Sequence, residues 1–252
     1  MLCGVFSILL AVSGRIDLAP FPIFLGAVFD FLDGFAARLL KQQGELGKQL
    51  DSLADVITFG LAPGIIMLVL LINSAHFSAS FDPAAYKAGF DTWISELLNG
   101  KIPDFIPFTA LIIPVFSMFR LAKFNIDTRQ STSFIGLPTP ANTIFFAGYP
   151  LILCYTTASG NAFIHLLFHP YLIAAVIIIM SLLLISELPL FALKFKDFKW
   201  KNNQVRFTFL LLTLAAILTL KVWSIMVVIL LYLLLSVVEN YFYKKKQDEI
   251  QS

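Results

Sequence analysis

The sequence predicts an all-α membrane protein, a polytopic helix bundle with about eight transmembrane helices. Of its 252 residues, 58% are hydrophobic and only 13% are charged, whereas soluble domains carry roughly 45–50% apolar and about 25% charged residues. The mean hydropathy is +0.84. Apolar segments near the length that crosses a bilayer recur between polar breaks, and they lack the alternation of β-barrel strands. Helices are therefore the predicted spanning elements.

The predicted spans follow one another along the chain as residues 1–12, 20–40, 53–72, 106–124, 143–157, 171–190, 207–220 and 222–243. The first would rise only about 18 Å, which is short for a crossing and is typical of a chain truncated at its front. Between the last two spans, Lys221 alone interrupts an apolar stretch that is too long for one comfortable crossing. We therefore predict a tight hairpin there.

The basic residues predict the orientation. When loops are assigned alternately to the two sides, 14 of the 18 Lys and Arg residues fall on one side. The other side receives only four of them, which are Arg15, Lys87, Lys101 and Lys221. By the positive-inside rule, the richer side is cytoplasmic and holds both termini. Residues 73–105 are then expected outside.

Composition also excludes several classes of function. A net charge of +2 gives no reason to expect a polyanion partner, so we predict no binding of nucleic acid. The two cysteines, Cys3 and Cys154, are too few for a disulfide scaffold or a cysteine-based zinc site.

Four aspartates stand where a membrane helix rarely carries acids. Asp30 and Asp33 end the second predicted span, and Asp51 and Asp55 open the third. Spacings of three and four residues place each pair on one helix face, and the short connection 39–50 brings the two faces together. Four carboxylates at such distances would repel or protonate unless a hard cation neutralised them. We therefore predict a site for Mg²⁺ or Mn²⁺, with Ca²⁺ as a further option.

The residues between these acids suit a phosphate ligand. Gly34, Ala37 and Gly47 are small enough to admit a ligand or a neighbouring helix, and Arg38 is a fixed cation suited to a phosphate. A cation-transport site is the alternative from another class of function. It would place carboxylates near mid-membrane on a continuous pathway. The clustering of all four acids at one end, beside glycines and an arginine, favours phosphate chemistry.

The same stretch resembles the signature of the CDP-alcohol phosphatidyltransferases. The pattern D-x2-D-G-x2-A-R-x8-G-x3-D-x3-D is matched at all eight fixed positions, from Asp30 to Asp55. Two later stretches, SMFRLAKFN at 117–125 and GLPTPAN at 136–142, are similar to elements of the membrane-integral phosphatidylserine synthases of that family. The chain departs from the family at its front, where members usually carry more residues before the first span.

The resemblance implies one integral-membrane catalytic domain over residues 1–252, with the two last spans, 207–243, peripheral to its core. It implies transfer of the phosphatidyl group from CDP-diacylglycerol to L-serine with release of CMP. Asp30, Asp33, Asp51 and Asp55 would bind metal, and Asp55 would also act as the base. The expected substrate-binding residues are Gly34, Ala37, Arg38, Gly47, Arg120, Lys123 and Asn125.

The acceptor is the more open part of this interpretation. Glycerol phosphate or inositol phosphate would use the same donor, and Arg120 and Lys123 do not exclude a phosphorylated acceptor. The resemblance also implies contact with membrane lipids, a homodimer and a place in a bacterial or archaeal cytoplasmic membrane. The active site would then face the cytoplasm.

Overall fold

The computed structural model describes residues 1–40, 44–74, 81–101, 103–127, 134–156, 162–191, 200 and 203–251. Its α-helices are α1 (Leu2–Val12), α2 (Pro20–Leu39), α3 (Glu45–Asp55), α4 (Ala62–Asn73), α5 (Pro83–Leu98), α6 (Ile112–Ile126), α7 (Thr139–Tyr155), α8 (Ala162–Leu167), α9 (Pro170–Ile185), α10 (Gln204–Leu220) and α11 (Ser224–Gln251). A π-helical segment, Val56–Leu61, joins α3 to α4, and 3₁₀ segments cover Ile106–Leu111 and Lys221–Trp223. The predicted all-α class is confirmed.

A single short β ribbon interrupts the helices of the described part of the chain. Its strands, β1 (Phe134–Ile135) and β2 (Pro189–Leu190), pair antiparallel. The backbone N–H of Gly136 continues this pairing by donating to the Leu188 carbonyl oxygen, and the N–H of Leu137 donates to the Leu183 carbonyl oxygen in the last turn of α9, each at 2.9 Å. The ribbon therefore ties the segment before α7 to the end of α9.

The predicted count of eight spans is not confirmed. By length and composition, four helical runs of the described residues are long and apolar enough to cross a membrane, namely Pro20–Ala37, Glu45–Asn73, Ile106–Ile126 and Gln204–Tyr241. The predicted spans 1–12 and 171–190 correspond to the shorter apolar helices Leu2–Val12 and Pro170–Ile185.

The last of the four runs contains the predicted hairpin. At Lys221 the backbone takes a positive φ of 51° between α10 and α11, and the two helices then pack against each other. The hairpin also packs on the remainder of the bundle, because α11 contacts α7 and the Tyr232 hydroxyl donates to the carbonyl oxygen of Phe191 at 3.0 Å.

One helix boundary differs from the prediction. The third helix begins at Glu45 instead of at residue 53, because Glu45, Leu46, Lys48 and Gln49 favour helix and need no apolar surroundings, which outweighs the cost of Gly47. Helix α5 lies within residues 73–105, the stretch that we expected outside the membrane; Asp82 caps it by accepting from the Ala84 N–H at 3.0 Å. The connection between the acid-bearing helices is thus shorter than the predicted 39–50.

Neighbouring helices pack closely on the π-helical segment. A Cβ atom added to Gly4 of α1 would lie 2.6 Å from the Thr58 Cα atom, and one added to Gly60 would lie 3.0 Å from the Ser117 Cβ atom of α6. Thr143 of α7 donates its hydroxyl hydrogen to the Phe59 carbonyl oxygen. Helices α1, α6 and α7 therefore converge on the turns that directly follow Asp55.

Contacts between helix ends divide into two groups. At one end of the bundle, Lys48 of α3 reaches Asn125 of α6, and Asn240 of α11 donates to the Pro189 carbonyl oxygen. At the other end, the rings of Phe21 and Tyr155 pack edge to face with centroids 6.5 Å apart, and Phe163 lies 5.8 Å from Trp223. Successive long helices consequently run in alternating directions.

Candidate active site

Three of the four predicted aspartates form a compact group, which we call the acid cluster. Carboxylate oxygens of Asp30 on α2 and of Asp51 and Asp55 on α3 lie within 4.8 Å of one another. Asp30 and Asp55 are half-buried, whereas Asp51 is exposed. Asp51 and Asp55 share a helix face because they are four residues apart. The antiparallel arrangement of α2 and α3 then brings that face to Asp30.

Asp33 lies beside the acid cluster without joining it. It follows Asp30 by three residues, so it is displaced by about 60° around α2 and about 4.5 Å along it. Its side chain is exposed. It is nevertheless near enough for its charge to act on Asp30, Asp51 and Asp55. The structure therefore separates one predicted ligand from the other three.

The donor set fits a hard divalent cation. Three carboxylates at these distances repel one another strongly when ionised. The ion pairs found among the described side chains join other acids, in the pairs Arg15–Asp17, Lys87–Asp91 and Lys123–Glu187. Oxygen-only ligation is what Mg²⁺, Mn²⁺ and Ca²⁺ prefer. The side chain of Arg38 is outside the described ones, so its predicted place next to the cluster stays a prediction.

Open space adjoins the glycines of the motif. A Cβ atom added to Gly34 or Gly47 would meet nothing within 4 Å among the described residues, and Ala37 is only half-buried. We predicted that these small residues admit either a ligand or a neighbouring helix. The absence of a described atom within 4 Å of either added Cβ atom favours a ligand over a neighbouring helix at these two positions.

Arg120 is buried and is held by contacts with neighbouring residues. Only 4% of it is exposed. Its Nε–H donates to the Leu137 carbonyl oxygen at 3.3 Å, and its guanidinium carbon lies 5.3 Å from the centre of the Phe124 ring. A guanidinium over an aromatic face is a favourable cation–π arrangement. The GLPTPAN segment and α6 thus fix this cation together.

Lys123 points toward the end of α9. Its Nζ atom lies 3.6 Å from Glu187 Oε1 and 3.5 Å from the Ile185 carbonyl oxygen. Ammonium groups are favourable near the carbonyl oxygens that end a helix. The predicted substrate-binding lysine therefore has protein partners at the end of α9.

Asn125 of α6 contacts the acid-bearing helix α3 directly. Its Nδ2 atom donates to Ser52 Oγ at 2.8 Å, and its backbone carbonyl accepts from Lys48 Nζ at 2.9 Å. The sequence-based prediction did not include Ser52, and it counted Lys48 only among the basic residues. The spacing of four residues between them places both on one face of α3, and this local pattern was the available signal.

A comparison of the sequence with models of protein families identifies the family of this chain. A model of the CDP-alcohol phosphatidyltransferase family matches residues 1–186. This chain belongs to that family. The matched region ends after α9, so it contains the acid cluster, Arg120 and Asn125, and the α10–α11 hairpin lies beyond it.

Three similar proteins align with more than half of this chain. A CDP-diacylglycerol–serine O-phosphatidyltransferase of Bacillus subtilis is 30% identical over 198 residues, which is 79% of this chain and 85% of the relative. One of Helicobacter pylori is 28% identical over 249 residues, or 95% and 86% of the two chains. An archaetidylserine synthase of Methanothermobacter thermautotrophicus is 30% identical over 162 residues, or 62% and 56%.

Proposed function

We propose that the protein is a CDP-diacylglycerol–serine O-phosphatidyltransferase that makes phosphatidylserine and releases CMP. The observation that carries this proposal is the acid cluster, in which Asp30, Asp51 and Asp55 of the family motif meet within 4.8 Å. Family membership supports the donor and the type of transfer. The names of the relatives from Bacillus subtilis and Helicobacter pylori support serine as the acceptor.

In this proposal Asp30, Asp51 and Asp55 hold Mg²⁺ or Mn²⁺, and Asp33 contributes from the exposed side of α2. A bound divalent cation would neutralise the phosphate oxygens and stabilise the charge that develops during transfer at phosphorus. The donor pyrophosphate would lie in the open space beside Gly34 and Gly47. Ala37 and Arg38 would complete the CDP site.

Asp55 is the proposed general base. The serine hydroxyl oxygen forms a bond to the phosphorus of the phosphatidyl group, and the bond from that phosphorus to the CMP oxygen breaks. The hydroxyl proton passes to the Asp55 carboxylate, and CMP leaves with the electron pair. Of the two cluster acids on α3, Asp55 is the less exposed and the nearer to the buried turns of the π segment. This position suits an acid that must approach an acceptor within the protein.

Arg120 is the proposed partner of the serine carboxylate. A planar guanidinium offers two parallel donors to a carboxylate, and its position is already set by Phe124 and Leu137. Lys123 and Asn125 lie on the same turns of α6, and we place them next to the acceptor without assigning them a bond to it. Serine would then be distinguished from other alcohols by its carboxylate.

For the membrane we propose eight crossings, with the acid cluster and both termini on the cytoplasmic side. The alternating directions of the helices and the distribution of basic residues support this arrangement. The donor would keep its acyl chains among lipids while its diphosphate lies at headgroup level. One catalytic domain, a homodimer and a bacterial or archaeal membrane complete the proposal.

The test is a transfer assay on the purified protein. CDP-diacylglycerol and Mn²⁺ or Mg²⁺ are supplied with serine, glycerol phosphate or inositol phosphate in separate reactions, and CMP release is followed. We expect release with serine. Faster release with glycerol phosphate or inositol phosphate would assign the protein to another acceptor, and no release with any of them would refute the proposed transfer.

A further inference from the structure

Helix α3 carries two of the three cluster acids but has little packing of its own. None of its residues, Glu45–Asp55, is buried. It continues into α4 only through the π-helical segment, and a change from i→i+4 to i→i+5 bonding alters the rotational phase between the helices that it joins. The rotation of α3 about its axis therefore needs a second constraint.

The contacts of α3 with the end of α6 provide one. Asn125 Nδ2 donates to Ser52 Oγ at 2.8 Å, and Lys48 Nζ donates to the Asn125 carbonyl oxygen at 2.9 Å. Ser52 Oγ in turn donates to the Lys48 carbonyl oxygen at 3.1 Å. Asn125 is the second-last residue of α6, where backbone carbonyls lack helical partners and favour a cation. Lys48, Ser52 and Asn125 thus form a connected set of hydrogen bonds between α3 and the end of α6.

We propose that Lys48, Ser52 and Asn125 form an α3–α6 clamp that positions Asp51 and Asp55 for the metal. Each residue turns a helix by about 100°, so a rotation of α3 by one position would present Ser52 where Asp51 now faces Asp30. The clamp holds Lys48 and Ser52, which lie next to the acids on α3, against the end of α6 and so prevents that rotation. Asn125 is then a positioning residue, and the substrate-binding role expected of it is not required. This inference rests on the proposed function only for its effect on turnover.

The first test needs neither metal nor substrate. Hydrogen exchange of the α3 amides is compared in metal-free wild-type protein and in the Ser52→Ala and Asn125→Ala variants. We expect faster exchange in both variants, while Gln49→Ala, an exposed change on the same helix, stays as the wild type. Ser52→Thr keeps a hydroxyl and should restore protection. Unchanged α3 exchange in both alanine variants would refute the clamp.

The second test uses Mn²⁺ activation of CMP release with serine. Loss of a group that orients metal ligands typically weakens metal affinity about 10-fold or more, so Ser52→Ala and Asn125→Ala should each raise the Mn²⁺ concentration for half-activation roughly 10-fold. The double variant should be no worse than either single one, because both remove the same bond. Serine KM at saturating Mn²⁺ should stay within about twofold of the wild type, because the clamp acts through metal ligands.

These readouts separate the failure of the clamp from the failure of the proposed function. A large loss in Asn125→Ala with a raised serine KM, beside a fully active Ser52→Ala, would show that Asn125 acts on substrate and would overturn the clamp. Faster exchange in both variants, with no transfer to serine in any protein including the wild type, would support the clamp and refute the proposed acceptor chemistry.

Discussion

The acid cluster and the surroundings of Arg120 are built in opposite ways. The helix that carries Asp51 and Asp55 has no buried residue, and no described atom lies within 4 Å of a Cβ atom added to Gly34 or Gly47. Arg120 is only 4% exposed and is held by Phe124 and by the Leu137 carbonyl. One region gathers like charges at half-buried and exposed positions, whereas the other packs a single cation into the bundle.

This difference indicates which region depends on ligands. Gathered carboxylates repel one another and gain their stability when a cation binds. A buried guanidinium is costly unless the protein itself supplies its partners, and here the GLPTPAN segment and α6 supply them. We therefore expect ligand removal and charge neutralisation to act chiefly on the acid cluster, and changes of shape to act chiefly on the packed region.

Metal removal should give the largest effect. EDTA should abolish CMP release because the cluster acids have no described cationic partner that replaces a bound metal ion, and Mg²⁺ or Mn²⁺ should restore it. The measurement is CMP release in chelator and after metal is added back in excess. Full activity in EDTA would contradict the metal site and remove the main contrast between the two regions.

Neutralising the proposed base should be nearly as severe. Asp55→Asn should lower kcat by roughly 10²–10⁴, the usual contribution of a general base, while binding of CDP-diacylglycerol is largely retained. Asp33→Asn, on the exposed side of α2, should weaken Mn²⁺-dependent nucleotide binding with a smaller loss of kcat. Equal loss of binding in both variants would refute this division of roles between the aspartates.

These expectations combine what the sequence predicted with what only the structure supplied. Helical phasing was sufficient to bring Asp30, Asp51 and Asp55 together, because spacings of three and four are local geometry. It did not separate Asp33 from them, since exposure depends on which neighbours cover a helix. The burial of Arg120 and the bond from Asn125 to Ser52 arise between residues far apart in the chain, and no local pattern encodes them.

The acceptor side should respond more moderately. Arg120→Lys replaces a planar fork by a point charge, and we expect kcat/KM for serine to fall by about 10–100-fold, the loss typical of a charged hydrogen bond. The affinity for CDP-diacylglycerol should change little.

The wild type should also discriminate against ethanolamine, which lacks the carboxylate, by roughly 10²-fold. Comparable CMP release with ethanolamine and serine would contradict the assignment of Arg120 to the carboxylate.

Two glycine substitutions compare the packed bundle with the surroundings of the acid cluster by their effects on the stability of the protein. A Cβ atom at Gly64 would lie 2.8 Å from the Pro114 Cδ atom, whereas one at Gly34 would meet nothing within 4 Å. Gly64→Ala should therefore destabilise the protein by about 1–3 kcal/mol. Gly34→Ala should leave the thermal midpoint in detergent unchanged or higher, because alanine favours helix by up to about 1 kcal/mol, and should raise the KM for CDP-diacylglycerol. A lower midpoint in Gly34→Ala would show that the space is not open.

The smallest effect is expected at Lys123, the neighbour of Arg120 by one helical turn. Its Nζ atom is 3.6 Å from Glu187, and the two side chains are 37% and 70% exposed, so the pair contributes only about 0–1 kcal/mol. Lys123→Met keeps the aliphatic stem and should change serine KM less than about threefold. Glu187→Gln is the matched control, since it removes the same pair from the other side. The contrary result is a loss of kcat/KM for serine in Lys123→Met as large as that in Arg120→Lys, with Glu187→Gln unaffected. It would show that Lys123 leaves its ion pair with Glu187 to bind the acceptor. The packed region would then contain two substrate-binding cations instead of one.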